Sequence, residues 1–85
     1  MTKEKVTEFI DKVYFPVIFP RQLTVGFTAG ANEEFDPVYR MEVREEESTL
    51  VITGIGGYEY SYPLDNIKSL AIQNLAPRVE VEVTP

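Results

Sequence analysis

Gly54-Ile55-Gly56-Gly57-Tyr58-Glu59-Tyr60-Ser61-Tyr62 joins a glycine turn to tyrosines at strict period two. That spacing puts every second side chain on one face of a strand, so the run is either half of a core or an aromatic binding stripe. The turn decides between them. Directly opposed residues of an antiparallel hairpin share a face, and loop length fixes which residues are opposed. A two-residue glycine turn would set Glu59 and Ser61 on the apolar face. A three-residue loop, Ile55-Gly56-Gly57, instead sets Tyr58 opposite Gly54, Tyr60 opposite Ile52 and Tyr62 opposite Leu50. Burying Glu59 unpaired costs several kcal/mol, whereas glycine takes a left-handed φ at almost no cost. The longer loop is therefore expected, with the tyrosines inward and Glu59 outward beside Thr53.

The strands before the turn extend this register. Tyr39, Met41 and Val43 alternate with Arg40, Glu42 and Arg44. A turn at Glu45-Glu46-Glu47-Ser48 pairs Val43 with Leu50 and Met41 with Ile52. One face is then apolar, and the other carries Arg40, Glu42, Arg44, Val51 and Thr53. Leu50-Val51-Ile52 is apolar on both faces, which suits a central strand.

Further out, Val6, Phe9, Ile10 and Val13 make one apolar stripe, predicting a helix over residues 2–14 with Thr2 as its N-cap. Pro16 ends it. The connector 15–20, Phe-Pro-Val-Ile-Phe-Pro, is expected to lie against the sheet or to be buried by a second subunit. Strands occupy the rest of residues 21–85. Leu23, Val25 and Phe27 mark one, and Val79, Val81 and Val83 mark the last, with Glu80 and Glu82 guarding its edge. Ala29 to Pro37 reads as an acidic loop and Pro63 to Asn66 as a turn. Ile67 to Gln73 fits a strand or a short helix. The expected fold is α+β: one domain with an N-terminal amphipathic helix and a strongly twisted antiparallel sheet of five or six strands.

The order of elements, with Tyr60-Ser61-Tyr62-Pro63-Leu64-Asp65-Asn66-Ile67-Lys68-Ser69-Leu70 near the end, resembles small barrels of the Sm-like or bacterial PH-like kind. That resemblance implies a closed barrel whose strand edges support assembly. Thr53 stands where an Sm-like chain carries a basic residue before its glycine, so RNA binding is not implied.

Composition narrows the function. The 85 residues contain no cysteine and no histidine. Disulfides, thiolate zinc sites and triad catalysis built on histidine are therefore excluded within this chain. Net charge is −6, and between Gly30 and Leu50 seven acidic residues face only Arg40 and Arg44. That field repels nucleic acid and anionic lipid and allows a basic partner. With no long apolar run and no secretory pattern at the N-terminus, a cytoplasmic location is expected.

Two candidate surfaces follow. Tyr58, Tyr60 and Tyr62 with Arg40 and Arg44 form a possible partner or ligand surface, weighed against core packing. Glu33, Glu34, Asp36, Glu45, Glu46 and Glu47 form an acidic patch, weighed against a solvated rim. No catalytic residue, cofactor site or metal site is expected. The functional expectation is a non-enzymatic interaction module that self-associates. The alternatives are a small acidic inhibitor, phage-encoded in one version, that occupies a basic site on a nucleic-acid-binding or defence protein, and a small-ligand binder.

Overall fold

The computed structural model describes residues 1–13, 21–75 and 78–84. One helix, α1 (Lys3–Val13), precedes β1 (Arg21–Phe27), β2 (Glu33–Phe35), β3 (Arg40–Arg44), β4 (Thr49–Thr53), β5 (Glu59–Pro63), β6 (Ile67–Leu75) and β7 (Arg78–Val83). The class is α+β. The strands, however, number seven and divide into two antiparallel sheets, ordered β2-β1-β6-β7 and β3-β4-β5. Among the described residues no ladder joins one sheet to the other, so the barrel does not close. The additional strand is β2, inside the segment whose acidity reads as a loop.

The two sheets and the helix share one core. Leu23, Val25, Leu70 and Ile72 from the first sheet meet Met41, Leu50 and Ile52 from the second. Leu50 and Ile52 are fully buried, each contributing about 1.5–3 kcal/mol relative to exposure. Val6, Phe9 and Val13 of α1 complete this core. Thr2 caps the helix: the Lys5 backbone N–H donates to its hydroxyl at 3.3 Å. The helix packs against β3 and β7, the edge strands on one side of the sandwich. Tyr14 and the connector 15–20 lie outside the described residues.

The second sheet holds the register expected from the glycine loop. Val43 opposes Leu50 and Met41 opposes Ile52, while Tyr60 opposes Ile52 and Tyr62 opposes Leu50. Gly54 N–H donates to Tyr58 O at 2.9 Å, closing a loop of Ile55, Gly56 and Gly57. Gly56 and Gly57 adopt φ of 74° and 79°, the left-handed region where a β-carbon is penalised. Val51 faces away from the core and is still buried, as a central strand flanked on both sides allows.

Residues 67–73 are strand, running along β1. Ile67 and Leu70 both turn inward despite their odd spacing, because pairing passes from Gly26↔Ser69 to Phe27↔Ile67. Lys68 is the extra residue of a bulge, which flips the alternation once. A 3-10 turn at Leu64–Asn66 carries the chain from β5 to β6, held by Thr28 N–H donating to Asn66 O at 2.9 Å.

Candidate functional site

Opposite the helix, the edges β2 and β5 face each other without a shared ladder. Pairing of Leu23 with Phe35 and of Val25 with Glu33 puts Phe35 and Glu33 on the inner face of β2. The three-residue loop puts Tyr60 and Tyr62 on the inner face of β5. The rings meet there. Phe35 and Tyr60 centroids are 5.2 Å apart at 58°, Phe35 and Tyr62 are 6.3 Å apart near edge-on, and Phe27 and Tyr62 are 5.1 Å apart. Tilted geometry at this spacing suits the ring quadrupoles. The Tyr62 hydroxyl donates to the Glu33 carboxylate across the same gap. Burial, then that bond and the Glu33 charge, push the Tyr62 phenol well above its ordinary range.

Beside this aromatic seam lies an open hollow of about 270 Å³, lined by Phe35, Pro37, Gly54 and Tyr60 and by the acidic residues Glu33, Glu34 and Asp36. Gly54 makes room for it. A β-carbon there would stand 3.6 Å from both the Phe35 and the Tyr60 ring. The hollow thus joins ring surface to carboxylates, a pairing suited to an organic cation. Among the described residues no group of three or more acids is placed to hold a metal ion.

Tyr60 and Tyr62 share one face of β5, with Tyr58 in the turn before it, and the three differ in burial. Tyr62 is half-buried, whereas Tyr60 is 41% and Tyr58 69% exposed. Tyr62 packs against both Phe27 and Phe35, whereas Tyr60 packs against Phe35. Tyr58 does not join the seam: its ring lies over Gly56 in its own loop, 3.2 Å from where a β-carbon there would sit. Arg40 and Arg44 stand on the opposite face of the sheet. Arg40 pairs with Glu42 at 3.3 Å, and Arg44 pairs with Glu42 at 3.5 Å and Glu59 at 3.6 Å. The structure therefore does not bring these arginines to the tyrosines.

The acidic residues also separate. Glu33 faces the seam, while Glu34 turns to the other face of its sheet, where Gln22 donates to it at 3.5 Å. Asp36 joins them at the hollow. Glu45 pairs with Lys3 of α1 at 3.4 Å, and Glu46 and Glu47 are exposed in the β3–β4 turn. Glu45 thus reaches the helix, Glu33 and Asp36 stand at the seam and its hollow, and Glu34 borders the hollow with its carboxylate turned to the outer face of β2.

Phe35 and Pro37 belong to the hollow without being among the expected site residues, and Gly54, expected as part of the turn, lines it too. The available signal was Phe35 alone among acids, an apolar residue at the right parity for a short strand. No protein-family model, no curated protein and no solved structure matches this chain.

Proposed function

We propose that this protein is a non-enzymatic interaction module that engages a basic segment of another protein through the β2–β5 seam. One observation carries the reading: the exposed Tyr60 ring and the Phe35 ring flank a hollow that Glu33, Glu34 and Asp36 also line. Aromatic faces attract ammonium and guanidinium groups by about 0.5–2 kcal/mol per contact. Carboxylates add charge-assisted hydrogen bonds. The net charge of −6 favours encounter with such a partner. The expectation of self-association rests on the apolar connector 15–20, which lies outside the described residues, on the alternating C-terminal strand and on the lack of catalytic residue types; the same net charge opposes pairing of two seams.

The test is fluorescence anisotropy with a short labelled peptide rich in lysine and arginine. Affinity is expected to fall about tenfold or more between about 50 and 300 mM salt, and to fall again in Tyr60→Ala. Binding that ignores both salt and Tyr60 sinks the proposal.

A further inference from the structure

The edge of β5 offers more than side chains. β5 is the last strand of its sheet. Its ladder to β4 is bracketed by Gly54 N–H to Tyr58 O and by Leu64 N–H to Ser48 O, both at 2.9 Å. Between those bonds the hydrogen-bonded pairs must be Ile52↔Tyr60 and Leu50↔Tyr62, because such pairs alternate along an antiparallel ladder. The backbone groups of Glu59 and Ser61 therefore point away from β4, as does the Pro63 carbonyl. Glu59, Ser61 and Pro63 are all exposed. The β3 and β7 edges, by contrast, pack against α1. Of the common protections of an open edge, β5 carries a charge at Glu59 and a proline at its far end, Pro63, and neither a lysine nor a bulge between them.

We infer that the free edge of β5 accepts an extended segment of the basic partner as an added strand. The inference rests on the proposed function and gives its mode of binding. Glu59 and Ser61 N–H and the carbonyls of Glu59, Ser61 and Pro63 supply the main-chain contacts. Proline lacks the next donor, so the docked segment is short. Alternate side chains of that segment fall on the seam side, where Tyr60, Glu33 and Asp36 favour lysine or arginine. On the opposite face Glu59 is paired with Arg44 at 3.6 Å, so the basic side chains are expected on the seam side. Charge complementarity selects this occupant over a second copy of the chain, which would bring one acidic seam against another.

The experiment is amide hydrogen exchange by NMR on the full chain, with a synthetic peptide alternating lysine and threonine as the probe. Binding is expected to slow exchange at Glu59 and Ser61 by about tenfold or more, while Tyr60 and Tyr62, already bonded to β4, change little. A peptide of the same sequence with N-methylated backbone amides keeps its charge and is expected to bind about tenfold more weakly, as loss of about one net hydrogen bond requires. Binding that perturbs Tyr60 yet leaves the Glu59 and Ser61 amides unprotected overturns strand addition and spares the seam reading. Absence of binding by either peptide overturns both. Protection of these amides without peptide, growing with protein concentration, assigns the edge to a second copy and overturns the inference.

Discussion

The rings of Phe35 and Tyr60 lie 5.2 Å apart although no backbone ladder joins their strands. Between β2 and β5 the described contacts are made by side chains, while Val38 N–H to Arg21 O and Tyr39 N–H to Thr53 O tie the two sheets beside them and a helix covers the other side. The same arrangement leaves ring surface and carboxylates together at an open edge, so closure of the fold and the proposed binding face are one structure.

A double-mutant cycle measures that closure. Phe35→Ala removes a buried ring and is expected to cost about 3 kcal/mol. Tyr60→Ala is expected to cost less, being partly exposed. The two should couple by about 0.5–1.5 kcal/mol in denaturant unfolding. Additivity within about 0.3 kcal/mol contradicts a direct ring contact.

Tyr62→Phe isolates the bond to Glu33. Near neutral pH the loss is expected to be about 1 kcal/mol. The pH dependence has a definite sign. Tyr62 is held protonated in the folded chain above its ordinary pKa, so its contribution is fully present below about pH 10. Above that pH the unfolded chain ionises first, the folded state binds more protons, and stability falls as pH rises. The gap between the native chain and Tyr62→Phe should therefore narrow past about pH 10. Unfolding curves on both sides of that pH check it, and a widening gap contradicts it.

Two glycine substitutions are expected to act in opposite directions. Gly57 has φ of 79° and open space where a β-carbon would stand, so Gly57→Ala costs about 1–2 kcal/mol from backbone strain alone. Gly54 has an extended backbone, with φ −107°, and its added methyl would meet Phe35 and Tyr60 at ordinary contact distance. Gly54→Ala should be neutral or stabilising by about 0.4–1 kcal/mol. It also fills the hollow, so peptide affinity should drop while stability does not. Thermal unfolding and anisotropy together separate these effects.

The β3–β4–β5 register was legible because its signals agree. Period-two alternation, a buried-charge penalty at Glu59 and two glycines able to take left-handed φ all select one loop length. β2 was not legible. Glu33 shares the face of β2 that carries Phe35, a position where a carboxylate reads as a loop signal, yet it stays exposed at the sheet edge and accepts from the distant Tyr62 hydroxyl. The bulge at Lys68 obscured β6 for a similar reason, since it breaks the alternation that distinguishes strand from helix. Grouping Arg40 and Arg44 with the tyrosines as one surface goes against the parity of β3 and β5, which puts them on opposite faces, and the placement of Glu33, Phe35 and Asp36 beside Tyr60 depends on how two sheets meet. Local pattern does not encode that.

Arg40→Ala and Arg44→Ala test the separation of faces. Their ion pairs are exposed, so stability should change by at most about 1 kcal/mol per pair. Affinity for a basic peptide should stay within about twofold or rise slightly, since positive charge is removed far from the seam. A marked loss of binding measured by anisotropy contradicts the assignment of the seam face.

The most direct measurement compares two charge-neutralised proteins against the same lysine- and arginine-rich peptide. One carries Glu33→Gln, Glu34→Gln and Asp36→Asn, and the other carries Glu45→Gln, Glu46→Gln and Glu47→Gln, with folding of both verified by circular dichroism. Net charge changes equally, so long-range attraction is matched and only position differs. The seam account predicts that the first loses about tenfold or more in affinity and the second about twofold or less. Equal losses, or a larger loss in the second, contradict it.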